Sequence, residues 1–141
     1  MKKSVNELLC ECEEIGFPKF QRPFFWTEKE CGDLWVDLLS KEEIDLGVVV
    51  CYPNKTKTIF LDGKQRLTAV ISLLLALKDK VNDEVKMAIG KSIADKNIEH
   101  SEEVDRYWKE KIVALPDASA LALTLLNNCF FEYAEVGLEA V

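Results

Sequence analysis

The chain has 141 residues, 48% hydrophobic and 30% charged, with a formal net charge of −7. That length suits a single modest core, and this balance of apolar and charged residues excludes wholesale disorder. No apolar stretch is long enough to cross a bilayer and no signal-peptide segment follows Met1, so a cytoplasmic protein without a membrane partner is expected.

Ser4 and Glu7 have the spacing of a capping box ahead of Val5, Leu8 and Leu9, which predicts a first helix over 4–14. Pro18 and Pro23 then forbid a regular helix and favour a stiff, extended segment over 15–25. Alternation in that segment would bury Phe20 and Phe24 and turn Gln21 or Arg22 to a cleft. Thr27 and Glu30 form a second capping box. Cys31, Leu34, Trp35, Leu38 and Leu39 follow at i, i+3, i+4, i+7 and i+8, one buried helical face.

Leu46–Tyr52 is β-branched and continuous and reads as a central strand; Pro53-Asn54-Lys55 supplies a turn, and Thr58–Leu61 reads as its hairpin partner. Asp62-Gly63 ends that strand. A helix is predicted from about 64 to 78 by the repeat of Leu67, Val70, Ile71, Leu74 and Leu75. Everything beyond reads as helical: a charged stretch over 82–97, a face of Val104, Tyr107, Trp108, Ile112 and Leu115, then a last helix carrying Leu121, Leu125, Leu126, Cys129 and Phe130. All turn and strand character lies before Lys80. That division predicts a domain over 1–80 and a helical extension, or incomplete second subdomain, over 81–141.

Five scattered cysteines do not make a disulfide framework and read as small buried apolar residues. His100 is the only histidine and reads as an exposed loop residue, too little for a His-based nuclease centre. The acidity of the whole chain argues against general nucleic-acid binding. Its cations are concentrated, however. Phe17–Trp26 holds Lys19 and Arg22 and no acid, and Tyr52–Arg66 holds Lys55, Lys57, Lys64 and Arg66 against Asp62 alone. Such clustering on a repelling body suggests an anion site.

Asp62-Gly63-Lys64-Gln65-Arg66 is the strongest candidate for it. Gly63 allows a positive φ and close approach, and the helix behind it opens with free N–H groups suited to phosphate. Arg66 can fork onto phosphate oxygens, Lys64 adds a mobile charge, Gln65 could orient water or a ligand amide, and Asp62 could hold magnesium or accept a proton. The bland alternative is a hairpin-to-helix turn with Asp62 as N-cap.

An extended P-x-F-Q-R-P-F-x-W, a helix, a Gly-Val-Val strand, and then L-D-G-K-Q-R-L-T opening an apolar helix together resemble the N-terminal domain of GmrSD-type restriction and phage-defence proteins. The resemblance covers residues 4–79. It implies an α+β fold, a small ParB/sulfiredoxin-like sheet with packed helices, followed here by the helical C-terminal region. It also implies a DGQQR-type nucleotide site. Asp62, Gly63, Gln65 and Arg66 match that hallmark, and Gln21 and Arg22 match the upstream element. Lys64 stands where the family usually carries Gln, and nothing over 81–141 resembles the nuclease module that usually completes such proteins, so the chain is expected to be either a fragment or a stand-alone module whose effector is another polypeptide.

The resemblance therefore implies a nucleotide-binding, NTP-hydrolysing module of a restriction or phage-defence system, with the nuclease supplied elsewhere. Asp62, Gln65 and Arg66 would be its catalytic residues. Gly63, Lys64, Arg66, Thr68, Gln21 and Arg22 would bind the nucleotide, and Asp62 would hold Mg2+. The expected partners are a nucleoside triphosphate, DNA reached through a partner nuclease, and further copies of the chain. A non-catalytic ligand-sensing or protein-interaction module is the alternative, and direct DNA binding by this chain alone ranks last.

Overall fold

The computed structural model describes residues 1–137. Five strands form one mixed sheet in the order β1-β5-β3-β4-β2. The strands are β1 (Lys2–Ser4), β2 (Glu14–Gly16), β3 (Ile44–Asn54), β4 (Lys57–Asp62) and β5 (Cys129–Glu135). The helices are α1 (Val5–Glu11), α2 (Glu28–Ser40), α3 (Lys64–Leu77), α4 (Asp83–Ile93), α5 (Glu102–Val113) and α6 (Ser119–Asn127). The fold is α+β. One face of the sheet, carrying Ser4, Ile15, Val49, Cys51, Phe60, Cys129 and Phe131, is buried with the helices' apolar faces in one continuous core.

Local chemistry starts the helices. Both capping boxes form, with Ser4 and Thr27 accepting backbone N–H groups while Glu7 and Glu30 reach back to the cap N–H. The hairpin forms as well, with β3 and β4 antiparallel and Asn54 opposite Lys57. β3 is indeed the middle strand.

The region after residue 80 departs from expectation. Cys129 and Phe130, assigned to the last helix, belong to β5, which runs parallel to β3 and antiparallel to β1. A strand from this region therefore lies inside the sheet, and the region is not purely helical; its last residues, 138–141, lie outside the described part. Strands β1 and β2 have three residues each and carry no readable period. Among the described residues no helix is long and apolar enough to cross a membrane. Cys12, Cys31, Cys51 and Cys129 are buried, Cys10 is exposed, and all five are free thiols.

β3 is not uniform. Its buried residues are Ile44 and Leu46, then Val49 and Cys51, so the alternation slips by one residue between them. The pairing with β5 shifts register at the same place, between Asp45 and Val48, and Gly47 there has φ +93°. This is a bulge, and the Leu46 carbonyl beside it accepts a hydrogen bond from a side chain outside the sheet, that of Arg66.

Candidate nucleotide-binding cleft

The bulge, the β4–α3 turn and the Pro-rich segment meet at one cleft of about 530 Å³. Leu46 and Val48 come from β3, Leu61 to Arg66 from the turn and the start of α3, and Phe20, Gln21 and Arg22 from the segment over 17–26. We call that segment the strap.

Gly63 makes the turn possible. Its φ is +97°, and a Cβ there would sit 2.6 Å from Val49 Cγ1 and 3.0 Å from the Val48 carbonyl oxygen. Gly63 itself, and not Asp62, occupies the N-cap position of α3, with no side chain capping the helix and no acid in its first turn. Asp62 instead accepts the Gly63 N–H through Oδ1 at 2.9 Å. The positive end of the α3 dipole thus opens on the cleft with Asp62, one residue before the cap, as the carboxylate beside it.

Arg66 is set by the bulge. Its Nη1 donates to the Leu46 carbonyl at 2.7 Å, and a Cβ at Gly47 would lie 2.3 Å from that nitrogen. The glycine is what gives the guanidinium room. Arg22 lies over the Phe25 ring at 4.9 Å. Among the described residues neither arginine has a carboxylate partner. Two stretches of chain over forty residues apart thus each bring an arginine without an ion pair to the same cleft, and Arg66 also borders a neighbouring pocket lined by Glu30, Asp33, Asp37 and Asp45.

The other expected ligands are engaged differently. Gln65 donates through Nε2 to the Pro23 carbonyl at 3.0 Å and accepts the Phe25 N–H through Oε1 at 2.9 Å, so its amide clamps the strap. Gln21 donates to the carbonyls of Phe60 and Leu61, at 3.0 and 2.6 Å, and clamps it from the other side. Lys64 is no mobile charge. It is buried, its Nζ pairs with Glu99 at 2.5 Å, and it lies over the Phe17 ring. Thr68, one turn further along α3, is only 1% exposed and does not line the cleft; it is not placed to touch a ligand.

Two further expectations are corrected. Phe20 is 84% exposed at the cleft, because a turn closed by the Gln21 N–H on the Pro18 carbonyl breaks the alternation; Phe17, Phe24 and Trp26 pack on the core instead. The cations also fail to form one surface. Lys55 and Lys57 lie at the hairpin tip, roughly 16 Å along β4 from Asp62 at about 3.3 Å per residue. Lys64 is neutralised by Glu99.

Glu99 has no signal in the sequence. Its Oε1 takes Lys64 and its Oε2 accepts the Phe24 N–H at 2.8 Å, and these bonds hold its carboxyl below the ordinary glutamate range. His100 is exposed, as expected, with Nδ1 3.5 Å from Asp105.

The family model for the GmrSD restriction endonuclease N-terminal domain matches residues 5–132. The chain belongs to that family. The match includes the strap, the cleft and most of β5, so it spans both sides of residue 80. Membership makes this a restriction or phage-defence module. No curated protein matches the chain.

Among the described residues Asp62 is the one carboxylate lining the cleft, and no group of three or more His, Cys, Asp or Glu side chains could hold a metal ion. A hard divalent cation that keeps waters and phosphate oxygens needs only one or two protein carboxylates. Asp62 fits that limited role and no larger one.

Proposed function

We propose that the cleft binds a nucleoside triphosphate. One observation carries the reading: Arg22 and Arg66, without carboxylate partners, line the same cleft as the uncapped N-terminus of α3. An anion satisfies all three groups at once. The cleft volume, about 530 Å³, lies within the usual range for small-molecule sites and exceeds what a lone phosphate needs. Its apolar part, exposed Phe20 and Val48 with Leu46 and Leu61, suits a base and sugar.

In this reading α3 and Arg66 hold the phosphates, Arg22 closes on them from the strap, and Asp62 holds a ligand-borne magnesium ion, which supplies charge neutralisation when bound. Hydrolysis would rest on electrostatic positioning, as phosphoryl transfer generally does. Asp62 is the group that could hold a water. Gln65 and Lys64, both committed to the strap, act as positioning residues. Their engagement also favours a second reading, a sensor that binds nucleotide without turnover. DNA cleavage by a partner nuclease would be the output in either case.

The test is titration with fluorescent ATP and GTP analogues, with and without magnesium, alongside phosphate release. Arg66→Ala should weaken binding by roughly 10- to 100-fold, the worth of a charge-assisted bidentate bond, with an unchanged circular dichroism spectrum. Equal affinities in wild type and variant would reject the site. Phosphate release abolished by Asp62→Asn makes the module an NTPase, and binding without release makes it a sensor.

A further inference from the structure

The strap has almost no backbone pairing of its own. Among the described residues its one backbone hydrogen bond is the local turn from Gln21 to Pro18. Side chains from elsewhere hold it: Gln65 on Pro23 and Phe25, Glu99 on Phe24, while the strap's own Gln21 reaches to β4. Arg22 falls between these anchor points.

Glu99 is the anchor that belongs to the second half of the chain. It lies in the irregular stretch between α4 and α5, 75 residues from Phe24. The buried Lys64 ammonium fixes one of its carboxylate oxygens and leaves the other aimed at the Phe24 N–H. Four residues on, Glu103 of α5 accepts the Glu28 N–H at 2.9 Å, so the same region also grips the start of α2, just past the strap. The Glu99 side chain is half-exposed, so these two charge-assisted bonds, not burial, hold its carboxylate in place.

We propose that Glu99, oriented by Lys64, is a positioning residue that holds the strap against α3 and so fixes Arg22 at the cleft. Through it the 94–103 region, for which the sequence offers no role, controls whether the cleft is complete. Its consequence for ligand rests on the nucleotide reading above; the holding of the strap does not.

The experiment therefore has two arms, both on the full chain. In ligand-free protein, Glu99→Ala should speed hydrogen exchange at the Phe24 and Phe25 amides by at least about tenfold and leave α3 and β4 amides unchanged. Unchanged exchange at Phe24, or faster exchange throughout the molecule, overturns the proposal. In the second arm, Glu99→Ala should weaken binding of the fluorescent ATP analogue about tenfold in the wild-type background and not at all in Arg22→Ala. Losses that multiply in the double variant would show that Glu99 does not act through Arg22 and would overturn it. Should the wild-type protein bind no nucleotide, the functional reading fails and the exchange arm alone decides the strap.

Discussion

Thr68 carries a buried hydroxyl for which no hydrogen-bond partner exists among the described residues. Such an orphan costs free energy that an apolar group of the same shape does not. Thr68→Val should raise stability by about 1 kcal/mol in urea denaturation and leave nucleotide affinity unchanged. A loss of affinity would return Thr68 to the ligand-binding set. The residues of the turn divide by how far away their partners lie. Gly63 and Asp62 act on their immediate neighbours, so the Asp-Gly-Lys-Gln-Arg run alone makes the turn readable. Gln65 and Lys64 are spoken for by Pro23 and Glu99, 42 and 35 residues away, and nothing within the run could reveal it. The Leu46 carbonyl under Arg66 had one visible hint, a glycine inside a β-branched run, which is where bulges occur.

Elements were readable where their instructions are short-range. Both capping boxes place the start of a helix within four residues, and α1 and α2 begin where they say. β5 could not be found that way. Its buried Cys129 and Phe131 alternate over three residues directly after an apolar helix, and its parallel partner β3 begins 85 residues earlier. The strap is a case between the two, ordered by distant side chains instead of a ladder, and this gives it a pH dependence. Lys64 and the Phe24 N–H are the groups that face the Glu99 carboxyl, and both favour its ionised form. A carboxyl held below its unfolded value stabilises the fold above that value, and the contribution disappears as pH falls through the lower folded value. The Phe24 anchor should therefore stay in place down to about pH 4.3, the ordinary glutamate value, and loosen below it while Gln21 and Gln65 keep their hold. The Phe24 amide chemical shift should follow that titration, and Glu99→Ala should abolish it. An inflection above pH 4.3 would mean that burial, not Lys64, dominates the site.

At the scale of the whole molecule, the two halves of the chain share one sheet and one core. β1 pairs only with β5, so a fragment ending at residue 80 would leave β1 unpaired and one edge of β3 open. α3 would lose α5, where Trp108 is fully buried and donates its indole N–H to Ser72 Oγ at 3.0 Å. α1 and α3, which carry the fully buried Leu8, Leu9, Ile71 and Leu74, would lose their packing against α4, α5, α6 and β5. Each fully buried aliphatic side chain contributes roughly 1.5–3 kcal/mol, and an entire domain is stable by only about 5–15 kcal/mol, so losses of this kind exceed the margin. Residues 1–80 expressed alone should show the narrow amide dispersion of an unfolded chain and bind no nucleotide, although every arginine of the cleft is present. The full chain should unfold in one transition, followed equally by the fluorescence of its tryptophans, Trp26 of the strap among them, and by the circular dichroism of its helices. A folded, nucleotide-binding fragment of residues 1–80 would restore the division at residue 80 and make the later helices and β5 an accessory to a self-sufficient site.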